Sequence, residues 1–251
     1  MKAVILAGGR GTRLSEETSI KPKPLVEAGG QPLLWHIMQN YSRFGVTDFV
    51  VLVGYKGQQI REYFSSFWLR QSDITFDLST PEREIHAIRS LPWKVTVMDT
   101  GINTNTGGRL AQLKNYISED FFLTYGDGVG DVDISQLYNF HKSHNQIATL
   151  TAVQPPARFG ALELSESSVV GFEEKPRSEG SWVNGGFFCL SPKVFELIDG
   201  DCSFEVDTLP KIAQSGELNA FRHDGFWQPV DTIRDLTRLE EHIETVGLPW
   251  L

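Results

Sequence analysis

The sequence predicts an α/β fold with a mostly parallel sheet, a mixed C-terminal half and an inserted β-hairpin, in one domain over residues 1–251. Short apolar runs, such as 2–7 and 49–53, are typical of strands buried on both faces of a parallel sheet. Segments with helical spacing of apolar residues separate these runs, which indicates right-handed crossovers between parallel strands. No internal repeat and no low-complexity linker divides the chain, so we expect a single domain.

The first half of the chain alternates strand and helix. A strand at 2–7 ends at Gly8, and an amphipathic helix at 33–41 begins behind Pro32 and ends before Gly45. The same patterns predict further strands at 49–53, 95–98, 121–125 and 148–153 and further helices at 58–67, 110–116 and 134–144.

Residues 68–93 interrupt this alternation and predict the inserted hairpin. Two short runs, at 74–78 and 84–88, lie on either side of a Ser-Thr-Pro turn. We expect the aromatic residues near the hairpin ends to form an apolar surface that another subunit covers, the alternative being that they fold back onto their own domain. These aromatic residues are Phe64, Phe67, Trp68 and Trp93.

After residue 155 the pattern changes to short strand-like pieces separated by Gly, Ser and Pro, which predicts a mixed sheet. The pieces are at 160–164, 169–172 and 186–190, and the chain ends with a predicted helix at 232–246.

Composition and charge exclude several functions. The chain is 40% hydrophobic with a net charge of −9, so nonspecific attraction to nucleic acid or anionic lipid is not its main function. No apolar run approaches the roughly 18 residues that cross a bilayer, and the start shows no signal-peptide organisation, so we expect a cytoplasmic protein. Cys189 and Cys202 provide no disulfide framework, and the histidines, His141 and His144 included, are interpreted as surface residues.

A glycine-rich loop follows the first strand. Residues 6–14 read LAGGRGTRL, whose glycines leave backbone N–H groups open to a phosphate while Arg13 neutralises charge, although a tight turn would show the same glycines. Residues 1–25 carry a local charge of +3, which suits an anionic ligand. The loop is not a P-loop, and Leu14 stands where a dinucleotide fingerprint needs its third glycine. Residues 21–24 read KPKP and add two ammonium groups on a stiff segment, a pattern that a solvated basic turn would also give.

Asp127 follows a buried strand and lies between two glycines. This position is the carboxyl edge of the sheet, where α/β proteins bind ligands. A carboxylate there suits Mg²⁺, and a simple turn aspartate is the alternative. The spacing of Asp127, Asp131 and Asp133 does not fit a calcium-binding EF-hand loop.

The motifs taken together resemble those of the sugar-1-phosphate nucleotidylyltransferases, and most closely the branch that uses CTP. They cover nearly the whole chain in the expected order: LAGGRGTRL, KPKP, GYKG (54–57), TGGRL (106–110), TYGDGV (124–129), RFGAL (158–162), EKP (174–176), NGGFF (184–188) and FWQPVDT (226–232). The resemblance implies a Rossmann-like sheet of the nucleotide-diphospho-sugar transferase type.

The resemblance also implies a reaction. It is transfer of a cytidylyl group from CTP to α-D-glucose 1-phosphate, giving CDP-glucose and pyrophosphate, with Mg²⁺ as cofactor and a homo-oligomer as the assembly. The product would feed pathways of the deoxysugar or O-antigen type, as in lipopolysaccharide biosynthesis. Two alternatives stay open: a transferase of the same family that uses UTP, dTTP or another sugar 1-phosphate, and a catalytically silent regulator that binds nucleotide sugars.

Site residues follow from the matching motifs. The resemblance implies that Arg13, Lys23 and Asp127 are catalytic and that Asp127 and Asp231 together hold the metal. It implies sugar-phosphate binding in the half at 155–251, by Gly160, Glu174, Lys175, Asn184 and Gly185, although the EKP stretch alone would suggest an exposed charged turn. The implied nucleotide-binding residues are Leu6, Ala7, Gly8, Gly9, Arg10, Gly11, Thr12, Arg13, Lys23, Asn103 and Gly108, with Asn103 and Gly108 in a loop that reads the base.

Overall fold

A seven-stranded sheet forms the centre of the protein in the computed structural model. The structure describes residues 1–11, 14–88, 91–155, 161–165, 168–173 and 182–250, with backbone only for 15, 16, 88, 161–165 and 168–173. In the described chain the strands are β1 Lys2–Ala7, β2 Glu27–Ala28, β3 Gln31–Pro32, β4 Asp48–Val53, β5 Ser72–Phe76, β6 Arg83–Ile88, β7 Lys94–Asp99, β8 Phe121–Tyr125, β9 Gly128–Gly130, β10 Ala148–Val153, β11 Ala161–Ser165, β12 Ser168–Glu173, β13 Val183–Leu190, β14 Leu218–His223 and β15 Trp227–Pro229. The α-helices there are α1 Ser15–Thr18, α2 Leu33–Arg43, α3 Gly57–Ser65, α4 Phe67–Arg70, α5 Thr106–Ala111, α6 Ile134–His144, α7 Leu209–Gln214 and α8 Ile233–Thr245.

The strand order in the central sheet is β14-β10-β13-β8-β1-β4-β7. Strand β1 pairs in parallel with β4 and β8, and β4 pairs in parallel with β7. Strand β13 runs antiparallel to both of its neighbours, β10 and β8. The predicted mostly parallel sheet with a mixed C-terminal half is therefore confirmed. The carboxyl ends of β1, β4, β7 and β8 meet at one edge, and this edge carries the candidate site.

The central strands are buried because both of their faces are covered. In β1, Ile5 packs in a cluster with α2, whereas Val4 and Leu6 pack in a second cluster with residues around α5 and α7. Successive side chains of a strand point to opposite faces, so a continuous apolar run supplies both clusters. Because β1, β4, β7 and β8 pair in parallel, their carboxyl ends lie at the same edge of the sheet.

The inserted hairpin is confirmed as the antiparallel pair β5 and β6. The prediction that its flanking aromatics form an exposed surface is wrong, because Phe64, Phe67 and Trp93 pack against the core of their own domain. Burial of these rings stabilises the base of the hairpin, with 5.7 Å between the centroids of Phe67 and Trp93. The guanidinium of Arg83 lies 5.1 Å from the Trp68 ring centroid. The exposed apolar residues lie further out, on the hairpin strands and turn: Phe76, Leu78 and Ile85.

Helix α5, Thr106–Ala111, corrects the predicted helix at 110–116, which begins four residues too late and continues five residues beyond the end of α5. Its first turn contains Gly107 and Gly108, residues that disfavour a helix interior. Both glycine N–H groups donate to the carbonyl oxygen of Cys202, at 2.9 and 3.3 Å, and a Cβ on Gly107 would lie 2.8 Å from that oxygen. A tertiary contact that needs glycine thus overrides the local propensity. Gly108 is a helical residue, so the expected loop placement is wrong for it.

Buried histidines are a second correction. His141, which we expected at the surface, is 2% exposed, and its Nδ1 lies 2.9 Å from the hydroxyl of Thr149. His36 is 1% exposed and bonds to Ala28. Burial, which disfavours the charged imidazolium, lowers the pKa of both histidines. Nowhere in the part of the chain that the structure describes is a helix long and apolar enough to span a membrane.

Candidate active site

A cavity of about 430 Å³ opens at the carboxyl edge of the sheet. Its volume is within the range of small-molecule binding sites. Its lining comes from the ends of β1 and β8, the KPKP segment, the start of α5 and two loops of the C-terminal half. The lining residues are Leu6, Ala7, Gly8, Gly9, Gly11, Lys23, Pro24, Thr104, Asn105, Thr106, Arg109, Tyr125, Gly126, Asp127, Ser203, Glu205 and Asp231.

The glycine loop after β1 forms one wall of the cavity. Gly11 has a φ of +61°, a left-handed conformation that L side chains rarely adopt, and a Cβ there would lie 2.8 Å from Thr18. The hydroxyl of Thr18 donates to the carbonyl oxygen of Gly11 at 3.0 Å, which holds the loop against α1. The region around Gly9 is open, since a Cβ there would meet nothing within 4 Å. Within residues 8–11, the loop therefore has a backbone held at Gly11 and an unobstructed surface at Gly9, and both glycines line the cavity.

Arg109 supports this loop from below. Its guanidinium donates to the carbonyl oxygens of Gly8 at 3.2 Å and Val53 at 3.1 Å, and to the hydroxyl of Thr100 at 2.6 Å. Arg109 is 4% exposed, and burial lowers its pKa. It lies between two glycines, because a Cβ on Gly8 would overlap its guanidinium and one on Gly54 would lie 2.7 Å from it. Arg109 thus links the ends of β1 and β4 by hydrogen bonds.

Asp127 and Asp231 are neighbours although they are far apart in the sequence. Strands β9 and β15 pair antiparallel with Gly128 opposite Pro229, and the N–H of Val230 donates to the carbonyl oxygen of Asp127 at 2.9 Å. This short ladder places the residue before β9 beside the residues after β15. The two carboxylates consequently face the same part of the cavity.

Lys23 lies between these two carboxylates. Its Nζ is 2.8 Å from an oxygen of Asp127 and 2.7 Å from an oxygen of Asp231. The Lys23 side chain is 10% exposed, whereas those of Asp127 and Asp231 are 40% and 27% exposed. The backbone of Lys23 begins a short 3₁₀ turn, Lys23–Leu25, behind Pro22. The stiff KPKP segment therefore places the largely buried ammonium group of Lys23 between the two carboxylates.

The carboxylate pair also fits a divalent cation. Its two oxygens are at most 5.5 Å apart, the sum of their distances to Lys23 Nζ. Mg²⁺ in phosphate-transfer sites is commonly held by one or two carboxylates together with phosphate and water oxygens. Among the described residues no group of three or more His, Cys, Asp or Glu side chains converges. Two aspartates with open neighbouring space are the donor set that this mode of binding requires.

A polar network forms the opposite wall. The hydroxyl of Tyr125 donates to Glu205 at 2.8 Å, and the hydroxyls of Ser203 and Thr106 donate to the other carboxylate oxygen of Glu205. Burial and the adjacent Glu205 raise the pKa of Tyr125, so its phenol remains a donor. Asn184 contacts this network through its amide, which donates to the Tyr125 oxygen at 3.3 Å.

The structure brings several of the predicted site residues together in the cavity lining and leaves others beside it. Leu6, Ala7, Gly8, Gly9, Gly11, Lys23, Asp127 and Asp231 line the cavity. Arg10 and Asn103 contact each other at 3.2 Å outside the lining. Gly108 lies against Asp201 instead, and the carbonyl oxygen of Gly185 accepts a hydrogen bond from the indole N–H of Trp227. The predictions for Thr12, Arg13, Gly160, Glu174 and Lys175 lie outside the described residues.

Sequence reasoning missed nine lining residues: Pro24, Thr104, Asn105, Thr106, Arg109, Tyr125, Gly126, Ser203 and Glu205. Arg109, Thr106 and Tyr125 stand inside quoted motifs, TGGRL and TYGDGV, so those motifs were a signal for them. Glu205 has no such signal, because it follows an irregular stretch and reaches the cavity through a π-helical turn at Phe204–Thr208. Its side chain is held at the cavity by hydrogen bonds from Thr106 and Tyr125.

The fold and the site define an α/β protein with a cavity at the carboxyl edge of its sheet, where such proteins bind ligands, lined by a glycine loop, a buried lysine and two carboxylates. The model of the Nucleotidyl transferase family matches residues 2–246, and the chain belongs to this family of enzymes.

Relatives agree with this assignment. The chain is 53% identical over 253 residues to glucose-1-phosphate cytidylyltransferase of Salmonella typhi, covering 100% of this chain and 98% of the relative. It is 31% identical to mannose-1-phosphate guanyltransferase of Yarrowia lipolytica, covering 94% of this chain and 62% of the relative. Among solved structures, HddC from Yersinia pseudotuberculosis complexed with GMP-PN is similar with a TM-score of 0.70 and 25% identity, covering 96% of this chain and 99% of that one.

Proposed function

We propose that the protein transfers a cytidylyl group from CTP to α-D-glucose 1-phosphate, giving CDP-glucose and pyrophosphate. The observation that carries this proposal is the 53% identity, over the whole chain, with a relative named for that reaction. The cavity geometry supports it, because a glycine loop, a lysine and a carboxylate pair suit a triphosphate.

The proposed chemistry needs no protein nucleophile. An oxygen of the sugar phosphate, already anionic, attacks the α-phosphorus of CTP in line, the bond from that phosphorus to the bridging oxygen breaks, and pyrophosphate leaves. The barrier comes mainly from bringing two polyanions together and from charge in the transition state. The task of the protein is therefore to orient both substrates and to supply positive charge.

We assign the charges by position. Lys23 would contact the α-phosphate, Arg13 the departing pyrophosphate and Lys175 the sugar phosphate. Asp127 and Asp231 would hold Mg²⁺, which when bound supplies positive charge to the phosphates. Arg109 would keep the glycine loop rigid through its hydrogen bond to the carbonyl oxygen of Gly8.

The remaining subsites surround this centre. We place the sugar in the half at 155–251, with Gly160, Glu174, Asn184 and Gly185, because Asn184 contacts the cavity-lining Tyr125. We place the base near Asn103 and Gly108. An amide at Asn103 offers both a donor and an acceptor to cytosine, and it would exchange its present bond with Arg10 for the base.

We further propose that the protein is a homo-oligomer in which the hairpin contacts a second copy. Phe76, Leu78 and Ile85 are 58%, 96% and 37% exposed, and all three belong to this one hairpin. Apolar groups clustered on a projecting element are typical of a subunit contact. We place the reaction in the cytoplasm, a compartment that fits the two free cysteines.

A substrate panel tests the proposal. The protein is incubated with glucose 1-phosphate, Mg²⁺ and each of CTP, UTP, dTTP and GTP, and released pyrophosphate is measured. We expect the highest kcat/KM with CTP. A clear preference for UTP or dTTP would redirect the proposal to another member of the family. Nucleotide binding without any pyrophosphate would instead indicate a silent regulator.

A further inference from the structure

The cation held between Asp127 and Asp231 in this structure is the ammonium group of Lys23. Its Nζ lies within 2.8 Å of both carboxylates and belongs to a side chain that is only 10% exposed. Two carboxylates so close together repel each other unless a cation lies between them. The chain thus carries its own counter-cation at the position that a divalent cation would take.

The ammonium group of Lys23 opposes the binding of a divalent cation on its own. A divalent cation that approaches the carboxylates alone meets a positive charge a few ångströms away, in a partly buried site where screening is weak. Lys23 cannot withdraw as a whole, because its backbone lies in the 3₁₀ turn behind Pro22 and its residue is 8% exposed. Only the flexible end of its side chain can move, and it needs a new anionic partner.

A nucleoside triphosphate is such a partner. The glycine loop and Lys23 line the same cavity, so a triphosphate bound along the loop brings phosphate oxygens to the ammonium group. Lys23 then exchanges carboxylate oxygens for a phosphate oxygen, and the two carboxylates become available to the cation. This step rests on the proposed function only in that the ligand carries phosphates.

We infer that Lys23 is an internal counter-cation that excludes a lone divalent cation from the Asp127 and Asp231 pair and couples metal binding to nucleotide binding. Metal and triphosphate therefore enter as one unit or in the order triphosphate first. The lysine has a role before catalysis that is separate from its contact with the α-phosphate.

Binding of Mn²⁺ alone, without nucleotide, tests this inference. Free Mn²⁺ is measured by electron paramagnetic resonance during titration of the wild type and of Lys23→Met, which keeps the length of the side chain and removes the charge. We expect Lys23→Met to bind Mn²⁺ at least about tenfold more tightly than the wild type. Lys23→Arg keeps the charge and should bind as weakly as the wild type.

Lys21→Met is the matched control. Lys21 stands two residues earlier in the same motif and pairs with Glu27 at 3.5 Å, so its replacement removes the same net charge away from the carboxylates. It should leave Mn²⁺ binding unchanged, and Lys23→Met combined with Asp127→Asn should lose the gain. Equal Mn²⁺ affinity in the wild type and Lys23→Met would overturn the inference, as would an equal gain in Lys21→Met.

A second measurement separates a change in Mn²⁺ binding from a loss of folding in the variant. Thermal unfolding of Lys23→Met and of Lys23→Gln is followed with and without Mn²⁺, again without nucleotide. We expect Mn²⁺ to raise the Tm of both variants by more than it raises that of the wild type, whereas an equal shift would contradict the inference. Neither measurement uses CTP or a sugar phosphate, so a failure of the proposed substrates would leave these outcomes unaffected.

Discussion

Arg109 and Gly8, which are 101 residues apart, are joined by a hydrogen bond of 3.2 Å from the guanidinium to the glycine carbonyl oxygen. The same guanidinium donates to Val53, so it links the ends of β1 and β4 beside the glycine loop. The close approach is possible only because Gly8 has no side chain, since a Cβ would overlap the guanidinium. Loop geometry thus depends on a residue of another motif.

This relationship predicts different effects for two adjacent glycines. Gly8→Ala should displace Arg109 and lower the free energy of unfolding by about 1–3 kcal/mol, through overpacking and lost hydrogen bonds. Gly9→Ala is the control, because a Cβ there would meet nothing within 4 Å, and it should change stability by about 0.5 kcal/mol or less. Urea unfolding measures both. In Gly8→Ala/Arg109→Ala the two costs should not add, and full additivity would contradict the proposed contact.

The carboxylate pair leads to a second prediction. Asp231→Asn should lower kcat about 100-fold to 1,000-fold at ordinary Mg²⁺, because it removes a charge that acts on the transition state. Asp127→Asn should behave alike. Circular dichroism and thermal unfolding should show an intact fold in both variants. Wild-type kcat and an unchanged Mg²⁺ dependence in Asp231→Asn would rule out its assignment as a metal ligand.

The sequence carried enough information for the central elements. Strand β1 and helix α2 were predicted because their signals are local: a continuous apolar run that stops at Gly8, and apolar spacing between Pro32 and Gly45. Helix α6 was predicted with its bounds, 134–144, for the same reason. Local signals failed at α5, where Gly107 and Gly108 are helical only because they pack against Cys202 and Asp201.

The candidate site was less accessible to sequence reasoning. That Asp127 and Asp231 are neighbours depends on two strands of three residues, β9 and β15, which are too short to give a periodic signal. Family resemblance, rather than spacing, suggested that they act together. Neither resemblance nor spacing indicated that Lys23 bridges them, because the three residues are brought together only by the tertiary fold, with Lys23 separated from Asp127 by 104 and from Asp231 by 208 positions.

A third prediction separates two lysines. Lys175→Ala should mainly raise KM for the sugar phosphate, because its proposed contact is made in the ground state as well as the transition state. Lys23→Ala should mainly lower kcat through the lost α-phosphate contact. Steady-state kinetics with each substrate varied in turn measures both. Losses confined to CTP affinity in both variants would contradict these separate roles.

A fourth prediction concerns the hairpin surface. Leu78→Asp and Ile85→Asp should weaken self-association, because each places a charge in the proposed apolar contact. Val246→Asp is the control, since Val246 is 70% exposed but lies outside the hairpin. Mass is measured by light scattering over a range of protein concentrations. An unchanged mass in the hairpin variants, or a monomeric wild type, would remove the hairpin from any interface.

Buried His36 gives the last prediction, on the pH dependence of stability. The indole N–H of Trp250 donates to Nδ1 of His36 at 3.2 Å, which makes Nε2 the protonated nitrogen that donates to the carbonyl oxygen of Ala28 at 2.9 Å. The neutral imidazole is therefore fully bonded, and a second proton at Nδ1 would break the contact with Trp250. Burial accordingly lowers the pKa of His36 below its ordinary value of 6.5.

The sign of the effect follows from proton linkage. Below about pH 6.5 the unfolded chain binds a proton at His36 and the folded protein does not, so stability falls as the pH is lowered from 6.5 toward the folded pKa. His36→Gln should be less stable than the wild type at pH 8, through lost packing, but should lose less stability between pH 8 and pH 5.5. His144→Gln, at an exposed position on α6, is the control and should follow the wild type. Urea unfolding at each pH measures these differences, and the same pH dependence in His36→Gln and the wild type would show that His36 does not contribute.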